Sequence, residues 1–162
     1  MAVVAAIAEA MVKQMIRLAT RYDIPRLLEI VEAYAYENPI KTLGNPDNHN
    51  PQHVEQLLFS IMLGKGFIYI DKELRGAIIA VKQNNFWCPK VKELHELLWW
   101  VEPEYRDGTL GGRLWKAFDR TGTEMLNRGD IDFIVTSISS KGPWIDYTKR
   151  DYEAVTASFV KE

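Results

Sequence analysis

Cysteine is nearly absent. Cys88 stands alone among 162 residues, which excludes an intramolecular disulfide and any cysteine-based zinc cluster and fits a reducing compartment. Cytoplasm is the expected location. An excess of one charge is equally lacking: 20 Lys and Arg face 22 Asp and Glu, for a formal net charge of -2. Like charges do not cluster into a block, so there is no electrostatic case for a nucleic-acid or membrane-surface partner. Long apolar runs are missing too. The opening MAVVAAIAEAMVKQ is Ala-rich, but it has no basic leading region and Glu9 interrupts a run far too short to cross a bilayer. Residues 1–14 read as an N-terminal extension, either a short helix or a segment ahead of an alternative start at Met11 or Met15, with no signal peptide or membrane anchor. Histidine is scarce, and His49 and His53, four apart across a proline, give poor support for a metal site. No metal is expected.

What is present suffices for one core. Hydrophobic residues make up 47% of the chain and charged residues 26%, the composition of a single globular domain, here residues 15–162. MIRLAT (Met15 to Thr20) alternates like a half-buried strand, with Asp23 placed as a helix cap and Pro25 early in the helix that follows. In that helix Leu27, Leu28, Val31, Tyr34 and Ala35 recur at helical spacing up to the Asn38-Pro39 breaker. A polar loop, Leu43 to Pro51, leads to a second helix with Val54, Leu57, Leu58, Ile61 and Met62 on one face, closed by Gly64. GFIYIDK and ELRGAIIAVKQ then read as a hairpin turning at Asp71 to Glu73. ELHELLWWV (Glu93 to Val101) and DFIVTS (Asp132 to Ser137) are strand signals flanking one helical segment. That β-α-β order predicts two parallel strands with a crossover helix, and a strand-to-helix turn at the carboxyl edge where ligands bind.

The turn itself is EPEYRDGTLGGRLW, Glu102 to Trp115. Leu110, Leu114, Phe118 and Met125 mark a buried stripe, so the helix starts near Thr109 and its first free N–H groups come from the glycine-rich segment. Glycine admits a ligand close to the backbone and a helix N-terminus favours an anion, a combination suited to a pyrophosphate, with Arg106 adding a full charge. A tight turn capped by Thr109 accounts for the same residues.

LLWWVEPEYRDGTLGGRLW resembles the central motif of the GNAT family of acyl-CoA N-acyltransferases, whose pattern is Q/R-x-x-G-x-G/A. On that pattern Arg106 takes the first position, Thr109 stands at the first glycine, Gly111 at the second, and Gly112 and Leu114 at the small and apolar positions. MIRLATRYDIPRLLEIV resembles the family's first strand and helix with its Asp, and YTKRDYEAVTASFVK its closing Y-x-x-x-G-F element followed by a strand, with Asp151 in place of glycine. On this resemblance the family's last hairpin is expected to be trimmed by the short C-terminal end.

The resemblance implies an α/β (α+β) GNAT fold, a mixed central sheet with helices on both faces and a splayed parallel pair holding acetyl-CoA. It implies cofactor contacts from Val101, Arg106, Asp107, Gly108, Thr109, Leu110, Gly111 and Gly112, with the amide of Val101 or a near neighbour polarising the thioester and Tyr147 acting as the acid. A tyrosine packed at a helix end is the plainer account of Tyr147. His95 and Glu96 are the candidate bases; neighbours on a strand face opposite ways, so only one faces the cleft without a bulge, and the ordinary pKa of histidine favours His95. Either also fits a hydrogen-bonded residue under a helix. Glu102 and Glu104 read as solvated or as contacts for a cationic substrate edge. Trp99, Trp100 and Trp115 read as core and cofactor-wall residues, and Cys88 as a packed or incidental thiol. Two functions follow: an N-acetyltransferase acting on a small-molecule or protein amine, or a catalytically silent GNAT-fold binding or assembly component of a viral or other large particle, favoured by Thr109, Asp107 and Asp151. The loop from Leu43 to Pro51 is the expected acceptor region. GNAT-like proteins are often dimers, so a homodimer is a further expectation.

Overall fold

The computed structural model describes residues 15–162; the expected extension at 1–14 lies outside the described residues. The sheet runs β1 (Ile16–Leu18), β2 (Gly66–Asp71), β3 (Gly76–Asn84), β4 (Lys92–Val101) and β5 (Phe133–Val135) in that spatial order. All neighbours are antiparallel except β4 and β5, which are parallel. Helices α1 (Ile24–Glu37) and α2 (Pro51–Ser60) precede β2, and α3 (Leu110–Arg128) crosses from β4 to β5.

Strand alternation sorts the core onto two faces. Leu27, Ile30 and Leu58 from α1 and α2 pack with Ile68, Ile70, Ala77 and Ile79. On the other face Leu110, Leu114, Trp115 and Phe118 of α3 pack with Phe67, Ile78, Ala80 and Leu94. The expected helices on both faces are therefore present. Gly122 lets α3 approach so closely that a Cβ there would lie 2.7 Å from the Ile134 side chain and 3.2 Å from that of Leu94. The crossover helix thus sits tight against the start of both parallel strands.

Several local expectations are corrected. Asp23 does not cap α1 with its side chain. It belongs to a 3-10 turn, Arg21–Asp23, and its carboxylate accepts the Thr20 N–H at 2.7 Å and both Arg17 guanidinium N–H groups at 2.8 Å. The pull of Arg17 lowers the Asp23 pKa from 3.8 to about 2. On α2 Leu57 is 47% exposed although it matched the apolar stripe. A π turn, Ile61–Lys65, follows α2, and Gly64 at φ 118° ends it as expected, in a conformation that suits glycine. The last strand is shorter than expected: β5 spans Phe133–Val135 rather than Asp132 to Ser137. The strand expected after Tyr152 does not form, for residues 152–162 carry no regular structure.

Candidate active site

β4 and β5 pair only from Glu93↔Phe133 to His95↔Val135. Beyond that point β4 continues to Val101 while the chain after β5 turns away, so the edge of β4 that faced β5 opens onto a cleft of about 670 Å³. Its walls come from the end of α1 (Tyr34, Glu37 to Ile40), from β4 (Glu96, Trp99 to Val101), from the turn before α3 (Arg106, Gly108, Gly111, Gly112), and from residues between Ser137 and Tyr147. Glu102 N–H donates to the carbonyl of Arg75, the residue just before β3, at 2.8 Å. Alternation along an antiparallel strand then points the Val101 and Trp99 N–H groups the other way, into the opening.

A bulge selects which side chains enter it. Ile79 pairs with Leu98 but Ala80 pairs with Glu96, leaving Leu97 as the extra residue of β4. Leu94 and Val101 both join the α3 face, which an unbroken alternation over seven steps would forbid. The bulge thus puts Glu96 on the same face as Trp99 and Val101. His95 faces the other way. It does not line the cleft, and its Nε2 lies 2.5 Å from Glu93 Oε2. The preference for His95 over Glu96 fails geometrically, because the bulge was invisible in the sequence.

Glu96 sits at the floor of the opening, where Thr136 Oγ1 donates to its Oε2 at 2.8 Å. Burial raises its pKa above the ordinary carboxylate value, against the smaller opposing pull of Thr136. Tyr147 lies across from it in a 3-10 turn, Tyr147–Arg150, anchored by Asp146, which accepts from the Thr148 N–H at 3.2 Å. The Tyr147 ring packs on Trp115 at 5.3 Å, and its hydroxyl donates to the Ser137 carbonyl at 3.3 Å. Burial raises the phenol pKa as well, so the hydroxyl keeps its proton at neutral pH. Asp151 closes the turn at φ 62°. That left-handed geometry explains why glycine suits the position and why a short Asp is tolerated there.

The glycine-rich turn stands where expected. α3 begins at Leu110, with Thr109 in the cap position but making no side-chain cap bond. The first α-type bond, Arg113 N–H to Thr109 C=O at 3.0 Å, leaves the preceding N–H groups of Leu110, Gly111 and Gly112 pointing off the helix end. A Cβ on Gly112 would meet nothing within 4 Å, so that position faces open space. These features fit an acyl-CoA: an open strand edge for an extended chain, free N–H donors at a helix start for phosphate, and room at Gly112. Asp107, Thr109 and Leu110 contribute no side chain to the cleft lining, and the Leu110 side chain is in the core.

Other expectations are revised. Glu102 is only partly exposed and is paired with Arg26, while Glu104 is exposed. Cys88 is exposed, which removes the packed alternative and leaves the incidental one. Asn38 to Ile40 line the cleft, whereas the loop from Leu43 to Pro51, where an acceptor region was expected, contributes nothing to the lining. Sequence reasoning missed Thr136 and Glu37. Glu37 had one signal, an anion as the last residue of α1, where the helix dipole disfavours it. Among the described residues, no group of three or more His, Cys, Asp or Glu is placed to hold a metal ion, and no helix is long and apolar enough to cross a membrane.

No protein-family model matches the chain, and no curated protein matches it. Solved structures do. A predicted acetyltransferase with acetyl-CoA from Clostridium acetobutylicum is 15% identical with a TM-score of 0.68, over 91% of this chain and 94% of that one. An acetyltransferase from Trypanosoma brucei is likewise 15% identical with a TM-score of 0.61, over 91% of this chain and 97% of that one. A putative acetyl transferase from Pyrococcus furiosus is 18% identical with a TM-score of 0.58, over 91% and 97%. Likeness at these identities defines architecture: a mixed sheet opened between two parallel strands above a glycine-rich helix start. The chain has the GNAT fold.

Proposed function

We propose that the protein is an acetyl-CoA-dependent N-acetyltransferase acting on a primary amine in a ternary complex. The observation that carries the reading is the convergence of the open β4 edge, the free N–H groups at the start of α3, and Glu96 with Tyr147 across one cleft. Bound acetyl-CoA supplies a thioester carbonyl as electrophile, so that an N–C bond forms as the C–S bond breaks.

Each remaining task falls to a residue of this chain. Leu110, Gly111 and Gly112 offer backbone N–H groups to phosphate oxygens, while the N–H groups of Trp99 and Val101 are placed to bond an extended ligand or its carbonyl. Glu96, its pKa raised by burial, is the carboxylate assigned to take the proton of the incoming ammonium. Tyr147 holds its proton and so serves as donor to the departing sulfur. The amine enters between Tyr34 and the segment Asn38 to Ile40.

A silent binding role has one observation in its favour: Arg106, the cation before the turn, is already ion-paired with Glu37. Incubation with acetyl-CoA and a panel of primary amines, followed by release of free CoA thiol, tests the choice. Amine-dependent thiol release that falls in Glu96→Gln supports the enzyme. Binding of acetyl-CoA with no release for any amine or lysine peptide favours the silent role.

A further inference from the structure

Arg106 brings a full positive charge to the glycine-rich turn, and two of its five N–H donors, the two that point to Val101 and Glu37, are already engaged. Nε donates to the Val101 carbonyl at 2.8 Å and Nη2 donates to Glu37 Oε1 at 2.7 Å. The guanidinium also lies over the Trp100 ring, 5.6 Å from its centroid. Trp100 Nε1 donates to the same Glu37 oxygen at 3.1 Å. Glu37 therefore has two donors holding it at the C-terminal end of α1, a place where the helix dipole alone would repel a carboxylate. The Arg106 hydrogen bond above all, with help from that of Trp100 and from the charge of Arg106, lowers its pKa against the opposing effect of burial. It stays ionised and in place at neutral pH.

Both partners line the cleft, and their side chains are 41% and 44% exposed, so an incoming ligand reaches the pair directly. A guanidinium N–H that bonds a carboxylate bonds a phosphate oxygen with the same geometry. An anion drawn to the N–H groups of Leu110 to Gly112 thus meets a neutralised arginine with a carboxylate beside it.

We propose that Glu37 is a specificity-determining residue of the cleft: it holds Arg106 in reserve, and a diphosphate-bearing ligand binds by taking the place of Glu37 on Arg106 Nη2 while Nε stays on Val101. The exchange discriminates by charge. A neutral ligand has nothing to offer Arg106 and leaves the pair closed, whereas a ligand with several phosphate oxygens makes the helix-start bonds and the exchange together. This deepens the acyltransferase reading and rests on it for the identity of the ligand, but the exchange itself requires only a phosphate anion.

The test is a set of calorimetric titrations with CoA, inorganic pyrophosphate and pantetheine on wild type, Glu37→Gln, Arg106→Ala and the double variant, with urea unfolding run beside each. Removing one charge from a half-exposed pair is expected to tighten CoA and pyrophosphate about three- to five-fold in Glu37→Gln. Pantetheine binding is expected to stay unchanged, and the gain to vanish in the Arg106→Ala background. Glu37→Asp, whose carboxylate is one methylene short of Nη2, is expected to move in the same direction and replaces Glu37→Gln if that variant fails to fold. Equal or weaker CoA binding in the Glu37 variants overturns the exchange, as does a gain shared by pantetheine or retained without Arg106. If CoA binds neither protein while pyrophosphate shows the Arg106-dependent gain, the exchange stands and the acyltransferase reading falls. Pyrophosphate and CoA both failing to bind any variant removes the exchange itself.

Discussion

Replacing Glu96 by glutamine separates the chemistry of this cleft from its architecture. The amide has the volume of the acid and still accepts from Thr136 Oγ1, which lies 2.8 Å from Oε2 in the native protein, but it cannot take a proton. A positioned general base is worth on the order of 10²–10⁴ in rate, about 3–5 kcal/mol of transition-state stabilisation. That is the expected loss in kcat/KM for an amine presented as its ammonium. The pH profile should change in step. Burial raises the Glu96 pKa, so wild-type activity falls as pH drops through that raised value, and the variant lacks this acid limb. Stability should move the opposite way. A carboxyl whose folded pKa exceeds its unfolded one makes the folded state bind the extra proton, so its contribution to stability declines as pH rises through that interval and remains lost above it. Glu96→Gln is therefore expected to be as stable as wild type at acidic pH and more stable at neutral pH, measured by urea unfolding at both. A purely structural Glu96 predicts the reverse pattern. Activity within a few-fold of wild type, or a variant that loses stability at neutral pH, would refute the assignment.

Three further outcomes follow from the same geometry. Asp23 has its pKa lowered from 3.8 to about 2, chiefly by Arg17; the shift is worth about 2 kcal/mol, trimmed because the Arg17 side chain is 40% exposed. That stability is present above the unfolded pKa and is lost as pH falls from about 4 through about 2, a loss that Asp23→Asn removes in urea titrations across this range. Phe118, fully buried between Phe67 and Trp115, should cost about 3–5 kcal/mol in urea unfolding when cut to alanine. Tyr147→Phe keeps the packing on Trp115 at 5.3 Å but removes the donor; thiol release should slow while acetyl-CoA affinity measured by calorimetry stays the same.

The architecture was largely legible because its signals are periodic. The hairpin of β2 and β3, the long β4 and the crossover α3 each occupy enough residues for the two-residue or 3.6-residue period to show. The short elements were harder. β5 has three residues and owes its place to Leu94 and Ile134 packing under α3 rather than to its own pattern. The site was half legible. Arg106, Gly111 and Gly112 announce a turn by composition, since glycine density before an apolar stripe has few other uses. Glu96 against His95 could not be decided, because one inserted residue, Leu97, reverses the facing of everything after it. The Arg106–Glu37 pair joins residues 69 positions apart, and no local pattern reports such a contact.

The central claim is that this cleft takes an acyl-CoA across the start of α3. Calorimetric titration of acetyl-CoA into wild type and Gly112→Leu tests it most directly, because a Cβ at Gly112 meets no protein atom within 4 Å and points into open space at the helix start. The account predicts micromolar binding by wild type and its loss in Gly112→Leu, with unfolding midpoints that match. Equal binding by both proteins, or none by wild type, would contradict it.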